Sequence, residues 1–257
     1  MDLQLQDKVA IVTGASRGIG RAIAQTLADE GMHVVLAARA QQELIAVAAT
    51  LGAESLVYAA DLRQADAPAA LVLAAVRRFG RIDALVNNAG ASKRGDFLTL
   101  PDSDWQDGFD LKFFAAMRCC RAAWPQLVAS RGAIVNIAGI GGRTGSAEFS
   151  IGGAVNAALL NLSKALADRG QADGVRVNAI NPGTIATDRL QLRVANYAAE
   201  HGLNAAAAAA KMASAFGISR FGRPEEISQA VAFLLSPRSA YIQGSILDVD
   251  GGQTRTL

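Results

Sequence analysis

Cysteine, histidine and aromatic side chains are all scarce in this chain. Its 257 positions hold two cysteines, two histidines and 5% aromatic residues. The cysteines, Cys119 and Cys120, are adjacent inside a helical pattern, where a mutual disulfide would be strained, and two alone cannot complete a structural zinc site. They read as small buried apolar residues, and no metal is expected. An excess of charge is missing too: 25 Lys and Arg against 23 Asp and Glu leave +2, which argues against a nucleic-acid surface built on bulk charge. No apolar run reaches the roughly 18 residues needed to span a bilayer, and "MDLQLQDKVAIVTG" enters a strand with no basic, apolar leader. The expectation is a cytoplasmic protein whose partners are small molecules or further copies of itself, not nucleic acid or a membrane.

What is present is apolar and periodic. Apolar residues make up 51% and charged residues 19%, a composition that folds. The runs "KVAIVT", "HVVLAA", "SLVYAA", "IDALVNNA", "GAIVNIA", "VRVNAINP" and "SILDVD" are strand candidates, and most stretches between them have helical periodicity. Continuous apolar strands joined by helical crossovers imply an α/β fold. The expected architecture is a single Rossmann-type doubly wound domain over residues 1–257, with about seven parallel strands and helices on both faces.

Two segments break the rhythm. One is a long helical run from about Asp102 to Ser130. The other, residues 184–222, follows a strand and contains six consecutive alanines, Ala205 to Ala210. The alanines are plain helix formers. A long insertion at the carboxyl end of a strand lies where open α/β sheets bind ligands, so the segment is expected to be a substrate lid.

The strongest local signal is "TGASRGIG", Thr13 to Gly20, between the first strand and a helix. Glycines 14, 18 and 20 permit a tight turn and close backbone approach, and the free amides and positive dipole end of the helix face a pyrophosphate. Gly14, Ser16, Arg17, Gly18, Ile19 and Gly20 are therefore candidate cofactor-binding residues.

With "DL" at Asp61 and Leu62, "NNAG" at Asn87 to Gly90, "NPGTIAT" at Asn181 to Thr187, "FGRPEEI" at Phe221 to Ile227 and the closing "DVDGG", the chain resembles the short-chain dehydrogenase/reductase family from about Asp7 to Gly252. The resemblance implies that Asp61 and Leu62 meet an adenine. It also implies that Asn88, Ala89 and Gly90 pack along the cofactor, and that Pro182, Gly183, Ile185 and Thr187 line it from the other side. Relatives usually associate through two long helices, here about 102–130 and 150–170, so a homo-oligomer, dimer or tetramer, is expected.

Charge indicates which dinucleotide. An acid at the end of the second strand would repel a ribose 2′-phosphate, but the segment reads "VVLAARA". Arg39 there and Arg17 in the glycine turn could clamp the phosphate between two guanidinium groups, which favours NADP(H), NADPH in the reducing direction, over NAD(H).

The resemblance also implies a serine, a tyrosine, a lysine and an asparagine that move a proton to or from the substrate oxygen. Aligned through the flanking strand and helix, the serine position holds Gly139, the tyrosine position Gly152, the lysine position Asn156 and the asparagine position Lys112. An amide and an amine have traded places. Asn156 and Lys112 are the candidate catalytic pair, Asn156 also holding the nicotinamide ribose and Lys112 supplying a cationic field; alternatively Lys112 simply reaches solvent or a carboxylate. Ser146, Glu148, Ser150, Asp188, Tyr197, His201 or a water polarised by Lys112 remain as proton donors. The two glycines are expected to leave a roomier pocket. The resulting expectation is an NADP(H)-binding oxidoreductase for a carbonyl or alcohol with an atypical active site. The alternative is a catalytically inactive nucleotide-binding protein acting as sensor, scaffold or partner subunit.

Overall fold

A computed structural model describes residues 1–255 of the chain. Seven strands form one sheet: β1 (Val9–Thr13), β2 (His33–Ala38), β3 (Ser55–Ala59), β4 (Ala84–Asn87), β5 (Ala133–Ile137), β6 (Arg176–Pro182) and β7 (Ile246–Val249). Their spatial order is β3-β2-β1-β4-β5-β6-β7, and every pairing is parallel. β1, β4 and β5 are buried along their whole length, which is why their sequences are continuous apolar runs with no alternation.

Helices cover both faces. On one side α1 (Gly18–Asp29), α2 (Gln41–Ala48) and α9 (Pro224–Leu235) enclose a core that includes Ile23, Leu27, Leu36, Leu44, Val86, Val135 and Val231. On the other, α3 (Ala67–Phe79), α5 (Ala115–Ser130) and α6 (Ser150–Asp173) cover Ile11, Leu71, Leu85, Leu127 and Ile134. The strand order reverses between β1 and β4. At such a switch point the crossovers leave to opposite faces and open a crevice beyond the carboxyl ends of the strands.

The expected long helix of residues 102–130 is present but not uniform. α4 (Asp102–Phe109) passes through a π-helical turn, Asp110–Phe114, before α5 continues. The turn widens the helix at Lys112, and such turns occur frequently at functional sites.

Residues 184–222 form a hairpin of α7 (Asp188–His201) and α8 (Ala205–Ala215). Asn204 caps α8 by accepting from the Ala207 amide at 2.8 Å, so the alanine run begins as helix with one orphan amide satisfied. Leu190, Val194, Ala198, Ala208 and Met212 make a small core of their own. The hairpin is pinned at its base, where Ile185 and Gly222 bridge, Ala186 N donates to Gly222 O at 2.8 Å and Gly222 N donates to Thr184 O at 3.0 Å. No helix among the described residues is long and apolar enough to cross a membrane.

Candidate functional site

The glycine turn is built against the end of β4. Gly14 has φ +67°, and a side chain there would bring Cβ to 2.9 Å from Ala89 Cα; a Cβ at Gly20 would collide with the Gly14 carbonyl oxygen. Only glycine fits either position without moving backbone. Thr13 Oγ1 accepts from the amides of Asn88 and Ala89, each at 3.0 Å, and Asn88 Nδ2 donates to the carbonyls of Thr13 at 3.0 Å and Gly14 at 3.2 Å. These four bonds hold Asn88–Gly90 beside the turn. From the other side Thr187 leans over it, its Cγ2 3.2 Å from where a Gly18 Cβ would lie. The turn also carries Ser16 and Ile19. α1 begins at Gly18 with no acidic residue in its first turn and no side-chain cap, so its first amides and positive dipole end remain available to an anion. This cradle, with Gly14–Gly20 at its base, Asn88–Gly90 beside it and Thr187 over it, fits a dinucleotide's pyrophosphate.

Arg17 and Arg39 are both exposed near this mouth. Arg39 lies close enough to Asp61 to contribute to holding that carboxyl below its usual range, although the larger cause is Arg63. The Arg63 Nε donates to the two Asp61 oxygens at 3.0 and 3.1 Å, and the same guanidinium also pairs with Asp107. Asp61 is therefore already engaged by a neighbour two residues away, while Leu62 beside it is buried.

The candidate catalytic residues lie at the ends of β4 and β5. From the π turn, the Lys112 stem crosses Gly90, where a Cβ would stand 2.9 Å from Cδ, and Nζ donates to the Ala138 carbonyl at 2.5 Å. Lys112 keeps some contact with solvent, yet burial of its ammonium lowers the pKa to about 8, and repulsion from Arg189 adds to the shift. Gly139 follows Ala138 with φ +143°, its amide donating to Asn181 Oδ1 at 3.1 Å. A side chain at Gly139 would put Cβ 3.0 Å from Asn156 Nδ2. Asn156 is 3% exposed, and its Oδ1 has no hydrogen-bond partner. A buried acceptor without a donor is a costly arrangement that a ligand hydroxyl could relieve. Lys112, Ala138, Gly139 and Asn156 thus form one cluster, so Lys112 does not run out to a carboxylate.

The roomier pocket expected beside Gly152 is not there. The Phe149 ring occupies that space, with three ring carbons at 2.5 Å or less from the position a Gly152 Cβ would take. The same ring packs beside Gly141, and the Arg94 guanidinium stacks over it at 4.4 Å. The ring fills space that would otherwise be an apolar void forfeiting dispersion contacts.

The remaining candidates are dispersed. Ser146 and Glu148 are exposed, and Ser150 Oγ is buried without a partner. Tyr197 and His201 stack on each other at 3.9 Å on α7, with His201 Nδ1 3.0 Å from the Tyr197 carbonyl. Asp188 is exposed at the start of α7; Tyr58 lies in β3 and Tyr241 is fully exposed. Cys119 and Cys120 are buried, their thiol pKa values raised by desolvation. Among the described residues no group of three His, Cys, Asp or Glu could hold a metal. Sequence reasoning missed the Ala138 carbonyl, Arg94 and Arg189, none of which carries a local signal.

Comparison with known proteins agrees with this geometry. A family model described as enoyl-(acyl carrier protein) reductase matches residues 14–254. The short-chain reductase protein NovJ of Streptomyces niveus is 35% identical, the match covering 96% of this chain and 94% of that protein. The 3-oxoacyl-(acyl-carrier-protein) reductase FabG of Staphylococcus aureus is 33% identical over 95% and 97%. The structure of L-sorbose reductase from Gluconobacter frateurii, complexed with NADPH and L-sorbose, superposes with a TM-score of 0.95 at 35% identity over the whole of both chains. The glycine cradle, the seven-stranded parallel sheet and these matches together place the chain in the short-chain dehydrogenase/reductase family.

Proposed function

We propose that this protein is an NADP(H)-dependent oxidoreductase acting on a carbonyl or alcohol substrate through an atypical active site. The single observation that carries the atypical site is the Lys112 ammonium, held at the end of β5 beside Asn156 with its pKa near 8. The cofactor would supply or accept hydride. Gly14, Ser16, Arg17, Gly18, Ile19 and Gly20 would hold its pyrophosphate side, and Arg17 and Arg39 a 2′-phosphate. NADPH in the similar sorbose reductase complex supports that choice. Asp61 and Leu62 would border the adenine, Asn88 to Gly90 the central span, and Pro182, Gly183, Ile185 and Thr187 the nicotinamide side.

The chain's own residues then divide the remaining work. Asn156 Oδ1, the orphaned acceptor, takes a ribose hydroxyl. Lys112 donates a proton to the substrate oxygen and stabilises charge developing there, a role suited to an acid with a pKa close to the working pH. Phe149 and the α7–α8 hairpin exclude water, the hairpin serving as a substrate lid. Association into a homo-oligomer is also proposed, supported by the family pattern and by Phe114 and Val128 remaining exposed on the long helix; light scattering tests it.

The test is nucleotide titration followed by turnover on a panel of aldehydes and ketones. NADPH should bind more tightly than NADH and be oxidised, with Lys112→Met abolishing oxidation but not binding. Tighter NADH binding would sink the cofactor assignment. Tight NADPH binding with no oxidation on any substrate favours the second reading, a nucleotide-binding protein that has lost hydride transfer. The Phe149 ring beside Gly152, at the position where the family resemblance implies a tyrosine, favours that reading.

A further inference from the structure

Four cationic side chains from three parts of the chain converge on the Lys112 and Phe149 region, and they are nearly without counter-charge. Arg94 comes from the loop after β4 and lies flat on Phe149. That loop is tied to the segment before α6 by Gly95 N donating to Glu148 O at 3.1 Å. Arg189 and Arg193 stand four residues apart on α7, hence on one stripe of the helix, next to the buried Leu190 and Val194 that dock it on α8. Arg193 is near enough to Arg94, and Arg189 to Lys112, to repel it, so the stripe lies close to the other two cations. Among the described residues none of these four makes a salt bridge, whereas Arg63, Arg143 and Arg220 each pair with a carboxylate. Glu148 attracts Arg94 without reaching ion-pair distance.

Like charges gathered without partners destabilise a fold, and such arrangements concentrate where a ligand supplies the missing charge. Guanidinium groups suit planar oxyanions, which they can bind with two parallel hydrogen bonds.

We propose that Arg94, Arg189 and Arg193 form an oxyanion-binding subsite at the mouth of the crevice, so that the substrate carries a carboxylate or phosphate near the carbonyl presented to Lys112. This deepens the oxidoreductase reading and rests on it for the carbonyl, but the anion subsite is read by binding alone. Because α7 brings two of the arginines, an anion seated there draws the hairpin toward Arg94 and replaces repulsion with attraction.

The test is calorimetric binding to the protein saturated with the oxidised cofactor, NADP+, which keeps probes out of the cofactor's own phosphate sites and cannot reduce the ketones. Two matched pairs are used: acetoacetate against ethyl acetoacetate, and dihydroxyacetone phosphate against dihydroxyacetone. The charged member of at least one pair should bind about tenfold or more tightly than its neutral counterpart, as expected for one charge-assisted pair. The advantage should shrink with added salt and disappear in Arg94→Gln/Arg193→Gln, while NADPH affinity stays unchanged. Which pair shows the effect distinguishes carboxylate from phosphate. Equal binding within both pairs, no binding by either anion, or an advantage that survives the double substitution overturns the subsite. Absence of NADPH oxidation, by contrast, bears only on the oxidoreductase reading.

Discussion

Substituting Gly152 by alanine isolates the packing of the Phe149 ring against this position. A Cβ at this position would overlap the Phe149 ring, three of whose carbons lie at 2.5 Å or less, so the ring has to swing away. Leaving its place forfeits the stack with Arg94, worth roughly 0.5–1 kcal/mol at an accessible site. Overpacking at a filled position adds about 1–3 kcal/mol. Against this, alanine gains up to about 1 kcal/mol over glycine in a helix, less in a first turn such as this one. The net expectation is destabilisation of about 0.5–4 kcal/mol, or a drop of roughly 1–16 °C in the midpoint of thermal unfolding. In a Phe149→Ala background the overlap is gone, and Gly152→Ala should become neutral or stabilising. A double-mutant cycle read by thermal or urea unfolding measures the coupling. Additive effects, or a single Gly152→Ala that raises stability with Phe149 in place, would refute the claim that the ring fills the position.

Much of the fold was legible because burial on both faces leaves little choice of residue. All seven apolar runs are strands of the parallel sheet, and the glycine turn sits between β1 and α1 where its spacing put it. The π turn was not legible: it arises where Lys112 turns inward to a backbone carbonyl, and "DLKFF" reads as ordinary helix. The placement of Phe149 was not legible either, since the direction of its ring depends on the space Gly152 leaves. Asp61 could be read as an acid just after the third strand, but not its capture by Arg63. The arginine group was the least legible feature, because residue 94 lies in the loop after β4 and residues 189 and 193 lie on α7, far apart in the sequence.

Arg17→Ala and Arg39→Ala should each weaken NADPH binding about tenfold while leaving NADH within twofold, the signature of a lost phosphate contact in isothermal titration; equal losses for both nucleotides would indicate a general disturbance. Gly20→Ala should abolish nucleotide binding, because its Cβ collides with the Gly14 carbonyl oxygen; unaltered NADPH affinity contradicts the tight turn. Lys112 has a folded pKa near 8 against 10.5 unfolded, so between those values the unfolded chain binds more protons and folding stability rises with pH. Urea midpoints of the wild type relative to Lys112→Met should therefore increase from about pH 8 to 10, and a flat difference argues against a desolvated ammonium.

The measurement closest to the central claim is the pH dependence of NADPH oxidation, followed by the loss of nicotinamide absorbance with any turned-over carbonyl substrate. A rate that falls as pH rises through about 8, as Lys112 loses its proton, together with no detectable turnover in Lys112→Met at unchanged NADPH affinity, is the result expected of Lys112 as the proton donor. Turnover in Lys112→Met with the same rate and the same pH profile as the wild type would contradict it.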